Sequence, residues 1–449
     1  MRKRKFYFKA VCIGILCMVG LSACGKENRD SEISVSNSLN SENTLVVYFA
    51  KENPFYQFAL EEYQKTSKTE IDLHVFDTEE ELAKQYVAEG MAASGADVVL
   101  CGNTSSLNIK SLASKGVCLD LTQYFNQDQQ YQSQNYYEVV VDAGKIEGKQ
   151  YVLPITYDLG FVVVREAVED LCGNVVTDQT DCYTFYKDLL TCQEILHDSE
   201  EIRLGLCFPF GSAEENLLYA YHVSGLHLTD GSQITADKEK IQILCDFIKA
   251  GQKEWKEKFD EMKNSGQKSA LLTGYQLLNG NPAANVRRQE YAYEALFDIT
   301  INYAFIPSES PGKFHATVRD FGFVSAKSDN QEQAYQLLRY IMDYNFYKLG
   351  VVYDTGVPIN QNNFENQFQE LCNITEVTMG NSSKQVLPMS EDFRKRLREQ
   401  MTQIDSASLV SPDEEKIFAE TMIDYINETA DFEDCYQQMC SRLDIYLRE

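Results

Sequence analysis

Five histidines, His74, His197, His222, His227 and His315, are the residues of this 449-residue chain best suited to moving a proton or holding a metal. Their spacing supports neither role. No pair forms an HExxH pattern, and His222 and His227, five residues apart, would diverge on one helix. There is no GxSxG turn to present a serine nucleophile and no phosphate-cradling glycine loop. Glu79, Glu80 and Glu81 make a run of carboxylates, yet behind Thr78 they read as the solvated first turn of a capped helix. Tyr136 and Tyr137 read as packing. The sequence thus points away from catalysis, and no metal or cofactor is expected. What remains is the chemistry of recognition, carried by aromatic rings, planar amides, carboxylates and arginines. Aromatic residues make up 12% of the chain, with 27 Tyr against a single Trp. That Trp255 sits in a Lys/Glu-rich helical stretch and reads as surface packing.

These groups need a scaffold, and one stretch suggests it. Gly148–Glu166 holds two short β-branched runs, Tyr151–Thr156 and Phe161–Arg165, which read as buried strands. Between them lies Tyr157-Asp158-Leu159-Gly160. Pro154 suggests an edge strand or a change of direction, and Gly160 a point where the chain can swing. A chain leaving one sheet for another here would place Thr156, Tyr157 and Asp158 in the crevice between two bodies. Tyr157 and Asp158 are therefore expected at the floor of a cleft, partly open to solvent.

The N-terminal part alternates strand and helix. Strands are expected at Thr44–Ala50, Glu70–Phe76 and Val98–Cys101, and helices at Pro54–Ser67, from Thr78 to about Ala93, and up to Lys115. That rhythm implies an α/β fold with a parallel sheet, whose ligands bind beyond the carboxyl ends of strands. Asn53 and Asn103 occupy such positions. After the crossing, helices are expected at Tyr183–His197, Glu214–Val223 and Lys238–Lys258. Gly274–Arg288 reads as a helical piece, a turn at Gly280–Pro282 and a strand-like piece. Strands at Ile299–Pro307 and Phe321–Ala326 and a helix at Asn330–Met342 precede a final third that reads as helices.

The length exceeds one core and suggests two or three domains. The N-terminus has a basic region (Arg2, Lys3, Arg4, Lys5, Lys9), an apolar run Ala10–Val19 and then Leu21-Ser22-Ala23-Cys24, which is similar to a bacterial lipobox. Cys24 would carry the lipid. The run is short for the roughly 20 apolar residues a bilayer needs, so the chain is expected to be anchored rather than embedded. Gly25–Asn43, polar and Ser/Asn/Glu-rich, reads as a tether reaching about 20–25 Å. Loss of residues 1–23 removes five basic residues and no acidic one, so the formal charge of −27 becomes −32. Such a surface argues against nucleic acid and anionic lipid as partners. Beyond Cys12, Cys17 and Cys24, ten of the 13 cysteines are scattered without a CxxC pair and read as buried free thiols.

Taken in order, several segments are similar to one family. ADVVLCGNTSSLNIKSLASKGVCLDLTQYF resembles its strand, helix and G-x-x-LDLT segment, and GKIEGKQYVLPITYDLGFVVVRE its G-K-x-Y-x-L-P crossing. LLNGNPAANV resembles its G-K-A-A-M piece, with Asn281-Pro282 replacing the usual residues. INYAFIPSESPG and FGFVSAKSDNQEQAYQLLRYIM resemble the segments around its second hinge. The family is that of the extracellular solute-binding lipoproteins of ABC importers, typified by maltodextrin- and other sugar-binding proteins, and the resemblance spans nearly all of Asn43–Glu449.

The resemblance implies a periplasmic-binding-protein-like fold of two α/β lobes joined by hinge crossings. The first would comprise 44–155 plus 322–365, the second 160–318 plus 366–449. It implies a small solute, a sugar or oligosaccharide, clamped between the lobes by hinge closure and passed to ABC permease subunits. The protein would be a monomer tethered at the extracellular face of the cell membrane, and not an enzyme. The alternative partner is a membrane sensor kinase. With tryptophan missing from the expected stacking role, Tyr157, Phe208, Tyr275 and Tyr353 are the aromatic candidates, and Asn53, Asn103 and Asp158 the polar ones. Arg287 and Arg288, just past the G-K-A-A-M-like piece, and Arg319, before the second hinge, would suit an acidic group on the ligand.

Overall fold

The computed structural model describes residues 44–448 apart from 54, 91–94, 174–178, 198–203, 209–210, 266–272, 296–297, 346–355 and 380–381. Tyr353, Cys24, the leader and the tether therefore lie outside the described residues. The first strands form as their apolar pattern dictates: β1 (Thr44–Ala50), β2 (Glu70–Phe76) and β3 (Val98–Gly102). Helices α1 (Phe55–Ser67) and α2 (Glu79–Gly90) join them, and β1 pairs with both β2 and β3 in parallel. The short helix α3 (Ile109–Ser114) follows, capped by the Asn108 side chain.

The crossing is one continuous strand, β4 (Val152–Arg165), and all fourteen of its residues are buried. This corrects the expectation of two strands with a break at Tyr157–Gly160. Gly160 is not a swivel. A Cβ there would stand 2.5 Å from Val223 Cγ1, so the missing side chain lets a helix press onto the strand. Pro154 is likewise not at an edge. It pairs with Phe321 beside two register shifts, and such irregularities spare a residue that has no N–H.

Beyond β4 come β5 (Leu204–Cys207), α4 (Ala213–Ser224), β6 (Thr273–Gly280), α5 (Pro282–Glu290), β7 (Ile301–Phe305), β8 (Phe314–Val324), β9 (Ile404–Ser408) and α6 (Pro412–Ile426). The expected order within Gly274–Arg288 is reversed, since the strand comes first and the helix second. The Asn281 side chain accepts from Ala284 N and Pro282 opens the helix, a start signal that outweighs the turn reading. The final third also holds strands, β9 and the hairpin of Glu376–Met379 with Ser382–Gln385, where helices alone were expected.

The ten-stranded sheet runs β2-β1-β3-β8-β4-β6-β5, with Val357–Pro358 and β7 added on β4 and β9 on β8. Along β4 the neighbours change. Val152–Leu159 pairs with β8, whereas Leu159–Arg165 pairs with β6 and β7. One strand thus serves two halves of the sheet end to end. The buried apolar residues divide accordingly. A first cluster takes in Tyr157 and Leu159 together with β1, β3 and most of β8. A second takes in Val162 and Val164 with α4 and α6. A small third one gathers Phe161, Val163, Tyr293 and Ile301. Each buried Val, Leu or Phe contributes about 1.5–3 kcal/mol, so the two large clusters are each a core in their own right. Phe368, Leu371, Leu397 and Met401 join the first cluster, although the sequence reading placed 366–449 with the second. Among the described residues no helix is long and apolar enough to cross a membrane.

Candidate ligand-binding site

Where β3, β8 and β4 lie side by side, polar groups interrupt the apolar core. The register sets Asp320 of β8 opposite both Gly102 of β3 and Thr156 of β4. Thr156 Oγ1 donates to Asp320 Oδ2. Across Gly102, Glu79 Oε1 accepts from Gly102 N and from Asn53 Nδ2, both at 2.9 Å. Its other oxygen, Oε2, is buried and has no hydrogen-bond partner among the described residues. Gly102 is small for a reason, because a Cβ there would stand 3.0 Å from the Asn53 amide nitrogen. Glu79 and Asp320 are 2% and 1% exposed. Burial pushes the Glu79 carboxyl up to about 7, aided by the charges of Asp320 and Glu52 and resisted by the Gly102 and Asn53 donors. Burial likewise pushes Asp320 up to about 6, with Arg319 and Thr156 pulling the other way. At neutral pH the Glu79 carboxyl is therefore partly protonated and can donate as well as accept, whereas Asp320 is largely ionised and accepts.

Arg319 reaches this row through a bulge. Val318 pairs with Tyr157 and Asp320 with Thr156, which leaves Arg319 as the extra residue, turned out of the ladder. Its Nη1 donates to Asp158 Oδ1 at 3.3 Å, and Asn279 Nδ2 donates to Asp158 Oδ2 at 3.4 Å. From the second cluster's side comes His222 of α4, whose Nε2 lies 2.7 Å from Glu415 Oε1 of α6. Burial opposes a charge on His222, but Glu415, by charge and hydrogen bond, and then Asp158 raise its pKa. Side chains from both cores thus converge on the middle of β4.

The structure brings together Asn53, Asp158 and Arg319, and it places Asn103 half-buried in the turn after β3. It does not bring in the others. Tyr157 is fully buried in the first cluster, against the Tyr137 ring at 5.5 Å, and Asp158 is only 4% exposed. The expectation of a part-open cleft floor fails for both, because β4 continues unbroken beneath its neighbours. Phe208 packs edge-on to Phe247 in the second cluster, and the Tyr275 hydroxyl lies 3.6 Å from Cys192 Sγ in the same core. Arg287 is a structural cation. Its donors go to the carbonyls of Leu371, Cys372 and Leu387 and to Glu290, and it is 1% exposed. Arg288 is half-buried on the same helix.

Thr156 was expected in the crevice, whereas Glu79, Asp320, Asn279, His222 and Glu415 were missed. Glu79 had a readable signal. It stands three, four and seven residues before Leu82, Ala83 and Tyr86, the buried face of α2, so the helical period puts it inside. Asp320 needed the β8 register, and the partners His222 and Glu415 are 193 residues apart. Among the described residues no group of three or more His, Cys, Asp or Glu side chains could hold a metal ion.

The fold is that of the two-lobed extracellular solute-binding proteins, whose solved structures include ABC sugar-binding proteins. A sugar transporter from Rhizobium etli, in an open conformation, matches with 14% identity and a TM-score of 0.60 over 89% of this chain and 99% of that one. A cyclic α-maltosyl-1,6-maltose binding protein from Arthrobacter globiformis matches with 14% identity and a TM-score of 0.59 over 90% and 98%. An ABC substrate-binding protein from Listeria monocytogenes in complex with cycloalternan matches with 13% identity and a TM-score of 0.58 over 90% and 98%. No family model and no curated protein sequence matches.

Proposed function

We propose that the protein captures an extracellular carbohydrate between two α/β bodies and delivers it to an ABC permease, held at the membrane through a lipid on Cys24. The bodies follow the two large clusters, with β4 and β8 passing between them. The observation that carries this reading is the polar row at the shared strand, above all the unpartnered Glu79 Oε2. A buried carboxylate oxygen without a donor is costly, and a sugar hydroxyl would satisfy it. The lobes closing on such a ligand would shift the open–closed population through contacts made only when they meet. The protein would act as a receptor rather than an enzyme, and the similar structures are binding proteins of transporters.

The charge of the site narrows the ligand. Glu79, Asp158, Asp320 and Glu415 face two cationic groups, and of these Arg319 is paired with Asp158 and His222 with Glu415. Arg287 is spent on backbone carbonyls and Glu290, and of the arginine candidates Arg319 lies in the polar row, where Asp158 already neutralises it. A neutral, hydroxyl-rich sugar fits best.

A thermal-shift screen tests this, because a ligand of the folded state raises Tm. Mannotriose, cycloalternan and related neutral oligosaccharides are expected among the compounds that raise it. A clear shift with a peptide, a polyamine or a metal ion, and none with any carbohydrate, would overturn the assignment.

A further inference from the structure

Helix α3 is rooted in the first cluster through Leu107, Ile109 and Ala113, and α6 in the second through Ile417, Phe418 and Met422. Their N-terminal ends meet. Asn108 uses Oδ1 to cap its own helix, accepting from Ser111 N at 2.9 Å. Its Nδ2 turns the other way and donates to Asp413 Oδ2, with the Tyr446 hydroxyl at 3.5 Å. Two residues on, Lys110 extends toward the second body, where a Cβ on Gly231 would stand 2.5 Å from its Nζ. Its charge favours the ionised form of Glu414, partly offsetting the effect of burial. Glu414 also accepts from Thr229 Oγ1 at 3.0 Å, which fixes it to the second body. An amide donor and an ammonium from one side therefore meet two carboxylates and a phenol from the other.

We propose that Asn108 and Lys110, with Asp413, Glu414 and Tyr446, form a latch between the two bodies that sets their resting open–closed population before any ligand arrives. The proposal rests on the two-body closure described above. Polar pairs of this kind are individually weak, and unfolding would scarcely register them. Closure is different, because open and closed forms differ by only a few kcal/mol. A fivefold change in that population is about 1 kcal/mol, within the reach of one such contact. The apparent affinity scales with the competent fraction, so the latch would tune binding without touching the ligand.

The test is a distance measurement on the full chain in detergent, without sugar. Spin labels go on ketone-bearing residues introduced at Gln85 on α2 and Gln437 on the helix Phe432–Tyr446, both exposed, so that native thiols stay unmodified. Double electron–electron resonance then reads the separation of the two bodies. Asn108→Ala, Lys110→Glu and Asp413→Ala are each expected to raise the long-distance population about fivefold. The double variant Asn108→Ala/Asp413→Ala should move it no further than either single change, and Lys110→Arg should keep the original distribution. Unchanged distributions in all three single variants, or single effects that simply add in the double, would overturn the latch. No sugar enters the experiment, so these outcomes do not depend on what the site binds. A failed sugar screen would leave the latch standing.

Discussion

Strand β8 buries two titratable side chains five residues apart and treats them in opposite ways. His315 is 3% exposed, and each ring nitrogen has a serine hydroxyl at 2.9 Å, Ser406 at Nδ1 and Ser408 at Nε2. A neutral imidazole needs one donor and one acceptor, and two hydroxyls supply both. Burial, followed by the charges of His227 and His222, pushes its pKa down to about 3. Asp320 is as deeply buried, yet it belongs to a row with more acceptors than donors, ending at the unpartnered Glu79 Oε2. The first arrangement is complete and stabilises the strand. The second is incomplete, and a donor-rich ligand would complete it. Burial and a shifted pKa are common to both, so they do not mark a binding site; unmet hydrogen-bonding capacity does.

The sharpest way to separate the two regions is by the sign of their pH dependence, and the acid row should give the larger effect. Its folded pKa values, about 7 and about 6, lie above the ordinary carboxyl values. Its contribution to stability is therefore full below the unfolded pKa and lost as pH rises through the folded one. Glu79→Gln should gain on the unsubstituted protein by about 1.4 kcal/mol per pH unit, roughly 2–3 kcal/mol between pH 5 and 7, in urea unfolding. Asp320→Asn should show the same sign over a lower window, ending near pH 6. Because each charge opposes the other, the double variant should gain less than the sum. A gap that stays constant with pH would mean Glu79 is ionised throughout and would remove the contrast.

His315 should behave in reverse. Its folded pKa lies below the unfolded value of about 6.5, so its contribution is present above that pH and is lost on acidification toward about 3. Between pH 6.5 and 5 the unsubstituted protein should lose about 2 kcal/mol relative to His315→Gln, again by urea unfolding.

How much of this was legible before the structure varied with the range of the interaction. The β-α-β-α order and the extents of β1, β2 and β3 follow from local periodicity, and the structure reproduces them. Gly160 and Pro154 were read by residue habit, whereas packing against Val223 and a bulge in β8 decide their roles. Asn53 and Asp158 were reachable from strand ends and the crossing, and Arg319 only through the family resemblance. Asp320 was not, since its neighbours Gly102 and Thr156 become neighbours only through strand order. Glu79 was within reach, and treating it with Glu80 and Glu81 as one solvated turn hid the helical phase that separates it from them.

The comparison also predicts where binding is lost. Glu79→Gln should weaken the oligosaccharide giving the largest thermal shift by about tenfold in titration calorimetry, about 1.4 kcal/mol, the scale of one hydrogen bond to a charged group. His315→Gln should leave that affinity within about twofold. Equal losses in both would mean that the site depends on the whole strand and not on the open acceptor.

The smallest effect belongs to His222, which tests whether the contrast is one of site against scaffold or merely of acid against histidine. Its side chain and that of Glu415 are 19% and 12% exposed, and the ring nitrogen lies 2.7 Å from the carboxylate. Burial again opposes the charge, but here Glu415 and Asp158 outweigh it and the folded pKa is raised. The sign is then opposite to that of His315. The pair's contribution is present below about 6.5 and is lost as pH rises through the folded value, and a partly exposed pair is worth about 1 kcal/mol or less. In urea unfolding at pH 6 and pH 8.5, the advantage of the unsubstituted protein over His222→Gln should therefore shrink at the higher pH. If it grows instead, His222 is a neutral buried imidazole like His315. The second body would then offer the middle of β4 the Glu415 carboxylate and the Asn279 amide but no charged imidazole.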